Sequence, residues 1–430
     1  MDHEAVAPKY RLLVGIATLM AWINIGWVIV GFAPLLPFIS QELNIPVGTV
    51  MMCVFPLSSL AGGIGIMLCG PLIDRYGPRK VLFISTILCV IYNLLLPHFT
   101  HNIIEIAVLR VITGLITQGP VFSGNSAMAR RWFPHKEQST WLGIWQGGFA
   151  IGMAVMYVVY YPLVKYFDGE WRDVAAFAAV PSAVAFVLLG ITYFFGKEPA
   201  AVRHDEYAAL VKRDFAIARS LPIFWIGGIL LGCAQGILES INGLTASYLM
   251  SPTQGGLNWL PFKAGPAMAY IQYGMVAGPF LMSTMLYFIF RRSLKWCSSF
   301  NFIASGVVAY FLTTSFSKSS LVHMEIAFVI VGFFSNQMFA TVSTFITQNY
   351  PAYILGRVFG VSGGISILLG AFFSGLAGAL LNWTDSYRSI YILILAIGVF
   401  ACILTAVTLN PIKVFAKREA PVPQAAGGAK

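Results

Sequence analysis

Charge is scarce in this sequence. Of 430 residues only 10% are Asp, Glu, Lys or Arg, against about 25% in an ordinary soluble domain. A chain so poor in charge lacks the polar surface needed to stand alone in water. Catalytic groupings are lacking too. The six histidines, His3, His98, His101, His135, His204 and His323, are scattered, and there is no HExxH or nucleophile–base pattern of the kind a membrane-embedded enzyme would need. The six cysteines, Cys53, Cys69, Cys89, Cys233, Cys297 and Cys402, occur singly with no CxxC spacing. That argues against a disulfide framework or a metal centre and suits small core residues. A cleaved signal peptide is not expected, because the first apolar run is too long and more runs follow it. No cofactor is expected.

What is abundant is apolar sequence: 58% of residues, with a mean hydropathy of +0.77. A helix needs about 20 apolar residues to cross the hydrocarbon core. Such runs lie at 12–38, 49–73, 80–97, 103–129, 139–163, 173–196, 220–250, 266–290, 296–316, 322–349, 356–382 and 386–410. Twelve spans put both termini on one side. Assigned to alternate loops, 21 Lys and Arg residues fall on the side of the termini, five (Lys165, Arg172, Lys263, Lys318 and Arg388) fall opposite, and Arg110 lies within a span. The positive-inside rule makes the rich side cytoplasmic. The formal net charge of +10 is therefore read as membrane topology, and a nucleic-acid partner is not inferred. The expected location is the cell membrane, with both termini cytoplasmic and the protein a monomer in the lipid bilayer.

The longest polar stretch, 197–219, divides the chain into six spans and six: an N-terminal half, 1–196, and a C-terminal half, 220–412, with 197–219 as a cytoplasmic central loop. The tail 413–430 has the composition of a disordered segment. Faint echoes link the halves, "LGIWQGG" from Leu142 answering "FGVSGG" from Phe359. Duplicated six-helix halves are a transporter pattern, with the binding site between them near the midplane. After the second span comes "GPLIDRYGPRK". In it Gly70, Asp74, Arg75, Gly77, Arg79 and Lys80 match G-x-x-x-D-R-x-G-x-(K/R)-(K/R), and the chain resembles the major facilitator superfamily at this loop. Gly70 suits close helix approach, Gly77 a tight turn, and Asp74 a basic partner or a positive helix end. The resemblance implies an all-α membrane fold of twelve helices in two pseudo-symmetric halves, with this loop gating the inner side. "LRVITGLITQG", with Arg110, Gly114 and Gly119, resembles a second family motif. "GIWQGGFAIG" lacks the proline of an antiporter motif, which favours uptake. "RRWFPHKEQSTWLGIWQGG" loosely resembles the organic-anion branches.

Ionised groups at mid-membrane are costly and mark function. In span seven, Gln235, Glu239 and Asn242 stand at offsets of zero, four and seven, on one helical face. An acid flanked by two amides must face protein or water, and such a stripe suggests solute contact. The resemblance adds that spans one, four, seven and ten line the central cavity. Further candidates for substrate binding are Asn24 and Trp27, Arg110, Gln146, Gln272 and Tyr273, and Gln337 and Thr341. Because a desolvated charge is costly, Glu239 is expected to load and release a coupling proton, with Arg110 as its partner in coupling or as the holder of a substrate carboxylate. Glu105, near the outer end of span four, reads as solvated or structural. The expected function is a secondary transporter for a small carboxylate-bearing solute, an organic acid or amino-acid-like molecule, coupled to protons through alternating access. Two rivals remain open: a cationic or quaternary-amine solute gripped by Glu239 and aromatics, and a non-transporting receptor or scaffold on the same fold.

Overall fold

The computed structural model describes residues 8–196, 208–351, 354–412 and 414–415; the tail after Phe415, expected to be disordered, lies outside them. Twelve spans emerge. Span 1 is Pro8–Val30, span 2 Val47–Tyr76, span 3 Pro78–Leu95, and span 4 runs through Ile103–Thr113, Gly114–Gln118 and Gly119–Trp132. Span 5 is His135–Tyr166, and span 6 comprises Trp171–Ala176 and Ala179–Phe195. The second half supplies span 7, Pro222–Met250, span 8, Pro261–Phe288, span 9, Leu294–Phe311, span 10, Leu321–Asn349, span 11, Leu355–Thr384, and span 12, Tyr387–Thr408. Ten of the twelve are long and apolar enough to cross a membrane; spans 8 and 9 fall short. No strand occurs among the described residues.

Two local departures from the expected pattern have clear causes. Span 1 breaks at Gly31 and resumes as Leu36–Leu43, because Pro34 has no N–H to offer and its ring crowds the preceding turn. In the central loop Ala208–Ser220 is helical. It buries Asp214 and Ala218 and exposes Lys212, Arg213 and Arg219, a one-sided pattern that a polar-loop reading overlooks.

Within the first half, span 1 packs on spans 5 and 6, span 3 on span 6, and span 2 on span 4; in the second, span 7 packs on span 11, span 8 on span 10 and span 9 on span 12. The halves meet through spans 2 and 11 and through spans 5 and 8. This contact is tight at the end distant from the termini. A Cβ added at Gly48 would overlap the Gly378 carbonyl and the Asn382 amide, and Asn382 Nδ2 donates to Thr49 Oγ1 at 2.9 Å. At the end where span 1 starts and span 12 finishes, the spans splay. Nothing lies within 4 Å of a Cβ built at Gly70, Gly143, Gly147, Gly360 or Gly363. The close approach expected at Gly70 is not seen here, since nothing lies within 4 Å of a Cβ built there. Gly77 does make the turn, with φ of 83°. The halves are thus packed tightly at the distal end, and several glycines toward the termini look onto open space.

Candidate functional site

At the middle of the interface a small cavity of about 30 Å³ lies between the halves. Its lining comes from both halves: Ile29 and Val30, Phe55 and Ser59, Gln118 and Phe122, Phe149 and Met153 from the first; Gln235, Leu238, Glu239, Asn242 and Ile367 from the second. The stripe on span 7 faces this space. Glu239 Oε1 accepts from Gln235 Nε2 at 2.9 Å and from Ser59 Oγ of span 2 at 2.8 Å, while Oε2 accepts from Ser374 Oγ of span 11 at 2.9 Å. Gly370 makes room, since a Cβ there would overlap the Gln235 side chain. Asn242 joins as well. Its Oδ1 accepts from Gln272 Nε2 at 2.6 Å, and its carbonyl accepts from Tyr157 Oη, across the halves, at 3.1 Å. One carboxyl group therefore ties three helices and both halves together. No Lys or Arg is among the described lining residues.

Other expected contacts fall elsewhere. Asn24 is buried inside the first half, where its Oδ1 accepts from Ser182 Oγ at 2.7 Å and its Nδ2 faces Cys89 Sγ at 3.7 Å. Trp27 lines a separate crevice with Tyr92, Met156 and Tyr160. Gln337 Nε2 donates to the Gly278 carbonyl of span 8 at 3.1 Å, and Thr341 Oγ1 bonds back to the Gln337 carbonyl at 3.0 Å; both are buried in the second half. Tyr273 is 49% exposed and pairs with Tyr270, about a hundred degrees around the helix from the buried Gln272. Gln146 is exposed, one turn nearer the open end than the cavity-lining Phe149.

Arg110 lies elsewhere than the cavity, with contacts different from those expected. It is fully buried, but its guanidinium is spent on main-chain oxygens: Nε donates to Val54 O at 2.9 Å, Nη1 to Val28 O at 3.1 Å and Nη2 to Ile29 O at 2.9 Å. Val28 and Ile29 lie in the last turn of span 1 before its break, where carbonyls lose their helical partners. Arg110 caps that end, which a cation suits, with the Phe32 ring 4.9 Å from the guanidinium carbon. An Arg110→Met variant should therefore lose stability, since each orphaned buried acceptor costs about 1–3 kcal/mol, while the affinity of the folded protein for solute changes little. Thermal unfolding and solute titration on one preparation check this. A large affinity loss at unchanged stability would make the guanidinium a solute contact after all.

Of the loop motif, Arg79 donates through Nη1 to the Thr192 and Gly196 carbonyls, both at 2.8 Å, capping the end of span 6. Arg75 and Lys80 flank the Tyr76 ring. Glu105 serves as a cap at the start of span 4: its Oε1 accepts from Asn102 Nδ2 and its Oε2 from the His101 N–H, while Asn102 Oδ1 accepts from the Ile104 and Glu105 N–H groups. Sequence reasoning missed Ser59, Ser374 and Gln118. None carried a local sequence signal; Gln118 is marked only by the structure, where it ends the π-helical turn Gly114–Gln118, a feature frequent at functional sites.

Comparison with known proteins agrees with this architecture. Among solved structures, a D-xylose-proton symporter superposes with a TM-score of 0.77 at 13% identity, covering 94% of this chain and all of that one. A bacterial homologue of the human lysosomal transporter Spinster, in an inward-facing and unoccupied conformation, gives 0.74 at 13% identity over 97% of this chain and all of its own. In sequence, the chain is 25% identical over 333 residues to the cis,cis-muconate transport protein of Acinetobacter baylyi, covering 75% of this chain and 76% of that protein. It is 29% identical over 173 residues to a probable galactarate/D-glucarate transporter of Escherichia coli, 38% of this chain and 37% of that one. The Major Facilitator Superfamily model matches residues 12–373. The chain belongs to that superfamily, a multi-pass membrane transporter related to organic-acid carriers and not an enzyme.

Proposed function

We propose that this protein is a secondary transporter that moves a small carboxylate-bearing solute together with a proton by alternating access. The observation that carries the proposal is Glu239, a carboxyl group lining a central cavity with no lining cation among the described residues. A solute carboxylate entering that cavity meets Glu239 at close range. Two carboxylates sharing a site of low dielectric do not both stay ionised, so the anion enters with a proton. Once protonated, Glu239 turns from acceptor to donor and holds the solute's carboxylate. Solute and proton thereby load as a unit. The names of relatives that carry muconate, galactarate or glucarate support this class of solute.

Loading also bears on the conformational step. Glu239 bonds Ser59 across the halves, so exchanging that bond for solute and proton alters the contact between spans 2 and 7. A ligand shifts the balance of open states only as far as it binds them differently, and the proposal needs this bond to be made in one of those states and exchanged for solute in the other. The same reading puts the splayed end in the cytoplasm of a cell-membrane protein working as a monomer.

A second reading draws on Phe55, Phe122 and Phe149, which line the same cavity. A cationic or quaternary-amine solute would pair with ionised Glu239 among these rings. Thermal unfolding of the detergent-purified protein against small acids, zwitterions and amines, at acidic and at neutral pH, separates the two. A ligand at a hundred times its Kd adds about 2.7 kcal/mol of stability. The proposal expects stabilisation by acids, larger at acidic pH. Stabilisation by amines alone overturns it.

A further inference from the structure

We infer that Gln118, displayed by the π-helical turn of span 4, is a specificity-determining contact that reads a second oxygen-bearing group on the solute, a hydroxyl or second carboxyl. The inference rests on the transport reading above and deepens it, because Gln118 lies across the same cavity from Glu239.

Three observations meet at this residue. The first is the helix itself. A π turn inserts about one extra residue into the α-helical phase, so after Gly114–Gln118 residue 118 takes roughly the angular position that an unbroken helix gives residue 117. That is seven on from Arg110, hence the face that Arg110 shares. The turn therefore swings an amide, in place of a threonine hydroxyl, toward spans 1 and 2 and the cavity. Phe122, one turn on, lines the cavity with it.

The second observation is the seat made for it. Gly62 of span 2 has no side chain, and a Cβ built there would overlap the Gln118 amide. Gly114 lies against the Ser58 carbonyl and Gly119 against Gly65, so spans 2 and 4 hold the turn from both sides. An amide seated in a glycine notch at the wall of a cavity is positioned, and a longer or shorter side chain would place its polar end differently.

The third is unused hydrogen-bonding capacity. Gln118 is 4% exposed, yet its Nε2 contacts are long: 3.4 Å to Ser58 Oγ and 3.5 Å to Ser58 O. Formed N–H···O bonds run about 2.7–3.2 Å. Gln235, across the cavity, bonds Glu239 at 2.9 Å and Asn242 bonds Gln272 at 2.6 Å, so the other amides of the lining are engaged. A buried, poorly engaged amide is costly unless something completes its bonding. The solute does so in this account: its first carboxylate lies against Glu239, and a second hydroxyl or carboxyl reaches Gln118, which both donates and accepts. A site built to bond a polar group discriminates against analogues that lack it.

The test is uptake into proteoliposomes of a matched pair, a hydroxy acid or dicarboxylate and the monocarboxylate of equal chain length, by wild type, Gln118→Leu and Gln118→Asn. Wild type should prefer the doubly functional acid. Gln118→Leu should lower that preference about tenfold, the worth of one hydrogen bond, because the doubly functional acid loses more than the monocarboxylate does. Gln118→Asn, whose amide is shorter by one carbon, should fall between. Thermal unfolding of each variant shows that it is folded. Equal loss of both uptakes in folded Gln118→Leu, or an unchanged preference, overturns the inference while leaving the transport reading intact. A wild type that takes up neither acid overturns both.

Discussion

Glu239→Gln should abolish uphill, pH-driven accumulation of solute and leave exchange of solute across the membrane in place. Glutamine keeps the shape and the bonding to Ser59 and Ser374, the two hydroxyls that now hold the carboxyl, but it neither gains nor loses a proton. Its amide N–H offers the donor that protonated Glu239 would give to a solute carboxylate. A variant fixed in this donor form binds the anion without waiting for a proton, so its apparent affinity should lose its pH dependence. Accumulation is read as radiolabelled uptake against a gradient, exchange as counterflow from loaded proteoliposomes. In wild type both are present. Loss of both in the folded variant would mean the carboxylate contacts solute in its ionised form, as the amine reading holds; retention of full accumulation would remove Glu239 from coupling.

The second large effect is mechanical. At the distal end Gly48 and Gly378 let spans 2 and 11 touch backbone to backbone, and Asn382 bonds Thr49 across the contact. Gly48→Leu should prevent that end from closing. Overpacking a tight contact costs about 1–3 kcal/mol, which shifts the balance of states about five- to 150-fold toward distal opening. Transport should fall by a similar factor, since a carrier that seldom closes distally seldom opens toward the termini. Folding should survive, because the clash exists in only one of the two states. A reporter is at hand in Met51, fully buried at this contact and facing Gly243 of span 7. In Met51→Cys, a membrane-impermeant maleimide applied from the distal side should label slowly; adding Gly48→Leu should speed labelling. Slow labelling and undiminished transport in the double variant would show that this contact is no gate.

Much of this was legible from the order of residues, and the reasons differ by feature. The spans follow from apolar runs, which the bilayer demands regardless of tertiary contacts. The Gln235–Glu239–Asn242 stripe was legible because its spacing is helical and its face must avoid lipid. Its partners were not. Ser59 and Ser374 lie 180 and 135 residues from Glu239, and a serine in an apolar helix usually bonds its own backbone; only the packing of spans 2, 7 and 11 reveals their role. Arg110 misled for a related reason. A mid-span arginine reads as functional, yet two of its three main-chain partners are carbonyls freed by a break in span 1 about eighty residues away and the third is Val54 O of span 2, and backbone carries no sequence signal. Asn24 and Gln337 misled similarly, being polar residues that serve contacts inside one half. Gln118 was hidden because a π turn changes helical phase, and an assumed period of 3.6 misplaces everything after it.

The most direct test of the central claim is proton movement in wild-type proteoliposomes. A fully ionised small carboxylic acid would be added outside with no pH gradient imposed, and lumenal pH followed with an entrapped dye while uptake is counted. The account predicts that the lumen acidifies in step with uptake, and that Glu239→Gln exchanges the acid without moving lumenal pH. Acid uptake by wild type with no proton entering would contradict it, and would leave Glu239 as a structural tie between the halves.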